Sequence, residues 1–551
     1  MRRNIWRRTA AISLVAAVTV LAVGCGAKTG STGNGGTEKG SAGQESSKEE
    51  SAGGYQTTYG EKNFDGSKLT VMVYDRNSAP DGVTVINNRW TDYANQEMEK
   101  VGISLEFVAV PRSGDVEKIQ TMMASGTAPD LVMSYNGTMV EDYYNQGGIY
   151  DLSPYVDGEG QAENLKKYIG ESVLGAGRNK DGVLWGITAR RSIAARSNMF
   201  IRKDWLNKLN MPVPSTPDEL YQTLKAFKEQ NPDGRSDVVP FASYDMGGKQ
   251  DVLAMAFMDK VSDEKEYYSN EVSFVYSDDG FVEYLRFMNK MYNDGLIDPE
   301  YYAEGNGGQV CSEQFVNGQL GFYVYNVNGN VDSMRGDLLQ NLKANYPEAD
   351  MVSIPPLKNI NDGKTYNDGY AESGAYVFVP KTCKSPEAAV TYLDWLATKE
   401  GGFTLFHGFE GEHYIDEGGV PVVKDAAYNA TDKDWIRHDL FLIGNQGYYA
   451  TEEEFIKASA KEIPGYEEYV VDNYNNGVAG IVCRDTSYTS PLQSEKASDL
   501  SLISDEYNVK CITCAPEEFD KTIADYRAAL KDCGIEDIIQ ERAEHFEEIR
   551  K

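Results

Sequence analysis

Histidine and the familiar catalytic signatures are what this sequence has least of. Only four of its 551 residues are His, at His407, His413, His438 and His545, and no HExxH, GxSxG, GxxxxGKS, GxxxxGKT or GxGxxG occurs. The marks of zinc proteases, serine hydrolases and nucleotide enzymes are therefore missing, and no catalytic residue is assigned. Cations are also in deficit: 53 Lys and Arg face 85 Asp and Glu, for a formal charge of −32. Nucleic acid is excluded as a partner on that balance, because phosphate binding needs surplus positive charge; the plainer consequence of the acidity is solubility. Cysteine is sparse, with seven residues. Cys511-Ile-Thr-Cys514 is a lone CxxC, and Cys533 and His545 complete no known zinc spacing, so neither metal nor cofactor is expected. Together with Cys311, Cys383 and Cys483 these cysteines permit disulfides without dictating any. Beyond the N-terminus no apolar run approaches the ~20 residues needed to span a bilayer.

At the N-terminus Arg2, Arg3, Arg7 and Arg8 precede a mostly apolar stretch from Thr9 to Gly24, followed by Cys25. This reads as a signal peptide over 1–24. Leu-Ala-Val-Gly-Cys resembles a bacterial lipobox, although Leu21 sits four places before the cysteine where three is usual. The resemblance implies acylation of Cys25 and attachment to the outer face of the cell membrane. Residues 25–60, rich in Gly, Ser, Thr, Glu and Lys, hold too little apolar surface to order, and form a leash reaching ~5–6 Å per square-root residue.

From Lys68 strand-length apolar runs (KLTVMVYD, ISLEFVAV, DLVMS) alternate with helix-length segments, the pattern of parallel βαβ units. A second α/β region follows, with PSTPDELYQTLKAFKEQ carrying a capping Ser215 or Thr216 before Pro217. GAYVFVP is a strand, and SPEAAVTYLDWLATKEG is a helix capped at Ser385 and closed at Gly401. The C-terminal part is mainly helical. The length beyond the leash exceeds one core.

The fragments SGTAPDLVMSY, KDGVLWGITARR, NMFIRKDWLNKLNMPVPSTPDELYQTLKAFKE, SGAYVFVPKTCKSPEAAVTYLDWLATKEG and GFEGEHY stand in one order behind the lipobox. In that order the chain resembles the solute-binding lipoproteins that serve carbohydrate ABC importers. The resemblance implies a two-lobed, periplasmic-binding-protein-like α/β fold with hinge crossings and a ligand cleft between the lobes. One lobe would combine 61–188 with 372–435, the other 189–371 with 436–551, with crossings near Thr188, near Glu372 and around Thr431 to Leu440. It further implies a monomer that captures an oligosaccharide and hands it to a membrane permease without chemistry. A lipid-anchored carbohydrate-active enzyme and a peptide-binding importer component are the alternatives.

Sugar sites pair flat aromatic faces with fixed hydrogen-bond partners, and the chain has 36 Tyr. Most will pack, so position must select them. Tyr135 follows a strand end, where ligands gather in parallel sheets. Tyr244 follows another, and Tyr323 shares a strand face with Tyr325. Trp185 matches an aromatic that the family places near the cleft, with hinge packing as its other reading. Tyr370 and Glu372 lie at the second crossing and Trp435 near the third, whereas Trp205 and Trp395 have core spacing. Arg190, Arg191 and Arg196 cluster past the first crossing, where they either read an acidic sugar or make internal ion pairs. Some relatives hold calcium in a loop corresponding to Asn231–Asp237; Arg235 and Val238 stand here where that loop needs oxygen ligands, so no calcium is expected. Replacing Cys25 with Ser should abolish incorporation of labelled fatty acid and release the protein from membranes; undiminished labelling would place the anchor elsewhere.

Overall fold

The computed structural model describes Phe64 and residues 66–549, apart from 193–194, 249–250, 262, 264–268, 303–306, 328–329, 332–337 and 484–489. The leader, the leash and Cys25 lie outside the described residues. The chain forms strands β1 (Ser67–Asp75), β2 (Ile103–Pro111), β3 (Val132–Ser134) and β4 (Ile187–Arg190), then β5 (Ser197–Arg202), β6 (Val239–Ser243), β7 (Leu320–Asn326), β8 (Met351–Ile354) and β9 (Asn367–Gly369). It continues through β10 (Ser373–Phe378), the hairpin of β11 (Tyr414–Asp416) and β12 (Pro421–Val423), and β13 (Ile481–Cys483).

Parallel pairing of β1 with β2 requires a crossover, which helix Arg89–Glu99 supplies. Asn88 caps it by accepting from the backbone of Trp90 and Thr91, while Thr91 returns a bond to the Asn88 N–H. Its Trp90, Ala94 and Met98 are buried in the first core. β3 joins β1 through the Met72 N–H to Leu131 O bond (3.0 Å), then pairs antiparallel with β10, which pairs antiparallel with β4. The spatial order is thus β2, β1, β3, β10, β4. The chain leaves this region, builds a second sheet, and returns to insert β10.

The second sheet runs β6, β7, β5, β8, with only β6 and β7 parallel. Helix Pro217–Gln230 packs on it, capped by Thr216, whose side chain accepts from the Glu219 N–H. Helices Pro491–Thr513, Phe519–Cys533 and Ile535–Ile549 cover the same core through Cys511, Ile512, Phe519, Ile523, Tyr526, Leu530 and Ile538. Trp395 is buried in the first core and Trp205 in the second, as their spacing predicts. Helix Pro386–Leu396 ends sooner than predicted: Gly401 belongs to the following π turn, where a Cβ would meet the Trp395 carbonyl at 2.0 Å. Ser385 holds the N-cap position without a side-chain bond. Among the described residues no helix is long and apolar enough to cross a membrane.

Arg202, with 2 % of its side chain exposed, anchors a buried ionic cluster at the end of β5. It donates to both carboxylate oxygens of Asp204 at 2.7 Å, to Asp233 at 2.9 Å and to the Gly318 carbonyl at 3.1 Å. Removing it would leave Asp204 buried without a cation and Asp233 with Lys208 alone. Arg202→Met should therefore destabilise the protein by ~3–5 kcal/mol in urea unfolding; a change within ~0.5 kcal/mol would show that the cluster contributes nothing net.

Candidate functional site

The first hydrophobic core draws on residues up to Ala189 and again from Ala375 to Ile443, whereas Ala195 to Tyr366 and Tyr449 onward pack elsewhere, with Phe406. The chain therefore passes between cores after Ala189, after Tyr366 and after Ile443. The last passage lies beyond the Thr431 to Leu440 region named above, because Ile436 and Leu440 to Ile443 fill the first core. The three passages run side by side. Arg190 donates its N–H to Ile443 O (2.8 Å) and accepts from Asn445 N–H (2.9 Å), while Arg191 donates to Glu372 O (3.0 Å). Gly374 permits this approach: a Cβ there would sit 2.5 Å from the Asn445 Cβ and 3.0 Å from Ala189 O.

Each passage places one polar or aromatic side chain at the junction. Arg191, from the first, lies over the Tyr370 ring of the second at 4.1 Å, and Arg196 lies over the same ring at 4.6 Å. Asn445, from the third, links the cluster to the first sheet: with its amide turned to satisfy both ends, the nitrogen donates to Tyr135 Oη (2.8 Å) and the oxygen accepts from Arg191 Nη1 (2.9 Å).

The first sheet adds three residues by one rule. Arg76, Arg112 and Tyr135 each come directly after the last residue of β1, β2 and β3. Arg112 lies over the rings of Tyr74 (5.0 Å) and Tyr135 (4.8 Å), and Arg76 grips Asp439 through two nitrogens at 2.8 Å. From the second sheet Tyr244 and Tyr325 meet edge to face at 5.6 Å. Burial raises the Tyr135 and Tyr244 phenols above the ordinary range, and at pH 7 both stay neutral. Burial also lowers the Arg191 guanidinium.

The predicted residues separate on these facts. Tyr135 is 40 % exposed beside the arginines, with Tyr370 at the centre of the junction. Glu372 is exposed, and its carboxylate accepts from Ser172 Oγ at 3.3 Å. Tyr244 is half-buried below Tyr325. Trp185 is buried behind β10, stacked on Tyr376 at 5.1 Å, and takes its packing reading. Tyr323 is wholly buried against Phe200 and Phe315; it does share a face with Tyr325, but one pleat further from the strand end. Arg190 donates to the carbonyls of Tyr168 and Ala450, both at 3.2 Å, which makes it a fastening. Trp435 is half-buried on the first core, its indole donating to Asp432 O (3.2 Å) and its carbonyl accepting from Ser78 Oγ (3.3 Å).

The remaining motifs are structural. In GFEGEHY, Gly408 at φ +85° lets the backbone pass His413, whose Nε2 meets Asp432 at 2.9 Å. Arg89 and the Tyr428 hydroxyl hold the Glu412 carboxyl down at about 2. Cys311, Cys383, Cys511, Cys514 and Cys533 are free thiols, and burial pushes the first three up to about 12, opposite to a redox-active CxxC. In the Asn231–Asp237 loop, Asp233 accepts from Arg202, Trp205 and Lys208, and Asp237 pairs with Arg235 at 2.9 Å. Burial alone would raise Asp233, but these donors outweigh it and hold the carboxyl below its usual range. Both carboxylates are spent on protein cations, so the loop does not fit calcium.

Two α/β bodies with separate cores, joined by three adjacent chain passages, define a protein of the periplasmic-binding-protein fold. The chain belongs to the bacterial extracellular solute-binding protein family, whose profile matches residues 84–403. It is 25 % identical over 483 residues to the polygalacturonan/rhamnogalacturonan-binding protein YtcQ of Bacillus subtilis, covering 83 % of this chain and 89 % of that one. Lipoprotein LipO of the same organism is 25 % identical over 387 residues, 67 % of this chain and 70 % of its own. The crystal structure of the alginate-binding protein AlgQ2 without calcium ion superposes with a TM-score of 0.61 at 19 % identity, over 88 % of this chain and 98 % of the other.

The Asp233 geometry generates a direct test. Calcium or EDTA should leave the melting temperature unchanged, because a ligand that binds the native state alone would raise it. A calcium-dependent rise that Asp233→Ala removes would show that the loop exchanges its protein cations for the metal.

Proposed function

We propose that this protein captures an oligosaccharide at the junction of its two bodies and delivers it to an ABC importer, from the outer face of the cell membrane and tethered by lipid at Cys25. The observation that carries this reading is the convergence of Tyr135, Tyr244, Tyr325 and four arginines from strand ends of both sheets onto the three adjacent passages. A tyrosine face meets the C–H face of a sugar, and the fixed donors around it meet the hydroxyls. The names of YtcQ and AlgQ2 support a carbohydrate ligand, and LipO's supports the lipid. The bodies act as lobes, with residues 190–192, 367–374 and 444–448 as the hinge.

Capture needs no reaction. The carboxylates nearest the arginines are already engaged, Asp439 by Arg76, Asp115 by Arg112 at 3.5 Å and Asp368 by Arg196 at 3.6 Å, which disfavours the pair of free carboxyl groups that a glycosidase uses. Closure follows if the sugar touches both lobes, because its differential affinity for the closed form shifts the population.

The test uses the full chain in detergent, a panel of neutral and acidic oligosaccharides, and a donor–acceptor dye pair at Glu117 and Lys225, one on each body. A bound sugar should raise the melting temperature, remain uncleaved, and bring the dyes reversibly closer. Tyr135→Ala should weaken binding by ~1–3 kcal/mol with the fold intact. Cleavage products would replace this reading with an enzyme, and binding at constant dye separation would remove closure.

A further inference from the structure

The geometry points to a ligand that carries a carboxylate, seated on Arg191; this inference rests on the capture reading above. Three of the four arginines at the junction have an acidic neighbour. Arg76 is bidentate on Asp439, Arg112 lies 3.5 Å from Asp115, and Arg196 lies 3.6 Å from Asp368. Arg191 has none among the described residues. Its fixed companions are neutral: the Asn445 amide oxygen and the Tyr370 ring. Its Nε is shut off from solvent without any acceptor.

In a chain with 85 acidic residues an arginine lacking a carboxylate is not explained by scarcity of partners. Burying a cation without its counter-charge is unfavourable, and the ring face offsets only part of that. The adjacent atoms indicate what completes it. The Asn445 amide nitrogen fixes the Tyr135 hydroxyl at 2.8 Å, so the Tyr135 ring is held at a set distance from the guanidinium. That ring is 40 % exposed and lies beneath Arg112. A pyranose resting on Tyr135 would present an exocyclic substituent towards Arg191, and a guanidinium binds a planar carboxylate through two parallel hydrogen bonds. Tyr370 is not a second platform in this arrangement, because two guanidinium groups already cover it. The ligand class is an oligosaccharide of uronic acids. Arg190, one residue earlier, is committed to backbone carbonyls and takes no part.

Titration calorimetry on the full chain in detergent tests this with trimers of galacturonic, mannuronic and glucuronic acid, each against its methyl ester, which keeps the ring and removes the charge. At least one acid should bind roughly 10- to 100-fold more tightly than its ester, as expected for hydrogen bonds to a charged group. Arg191→Gln should remove that preference while ester binding persists, and Arg190→Gln should retain it. Binding of neutral and esterified sugars with equal or weaker binding of every acid would overturn the inference and leave capture standing. A preference that survives Arg191→Gln would overturn the assignment to Arg191. If neither these trimers nor the neutral panel binds, the capture reading falls and takes this inference with it.

Discussion

The backbone bonds that hold Arg190 and Arg191 between Glu372 on one side and Ile443 to Asn445 on the other fix the rest of the candidate site. They place three chain passages at strand spacing, so side chains separated by hundreds of residues in sequence become neighbours at a set distance. Arg191 meets Asn445 and reaches Tyr370 because Arg190 is bonded to Asn445 and Arg191 to Glu372, two residues beyond Tyr370. A glycine at 374 is the steric condition for that pairing.

The two bodies contribute unequally. The first sheet delivers cations and one exposed ring from consecutive parallel strand ends. The second sheet delivers tyrosines that lean on one another.

Much of the fold was legible in the sequence because it is periodic. Alternating strand and helix lengths marked the first sheet, and Thr216 with Pro217 marked a helix start. The candidate site was legible only where a positional rule reached it. The strand-end rule selected Tyr135, and applied to β1 and β2 it would have found Arg76 and Arg112. It misplaced Tyr323 by one pleat, which separates a buried ring from the half-buried Tyr325. Trp185 was chosen by resemblance and lies buried against Tyr376, since an aromatic beside a hinge is equally suited to filling the space behind it. Arg191 could not be told from Arg190 by sequence, because neighbouring residues on a strand face opposite ways and only the pairing partner decides which way is inward. Asn445 had no signal at all. It lies in an aperiodic stretch, and its importance comes from two partners in distant segments.

The free thiols carry a different consequence. Cys311, Cys383 and Cys511 ionise so far above neutrality that almost no thiolate exists at physiological pH, and the thiolate is the form that reacts. None of the three holds the fold by a covalent staple. They are shielded by packing, so alkylation of any one of them would time how often its surroundings come apart. Cys383 reports on the first core and Cys511 on the second. The chain thus contains two internal clocks, one for each body, by which the opening of either could be followed without adding a probe.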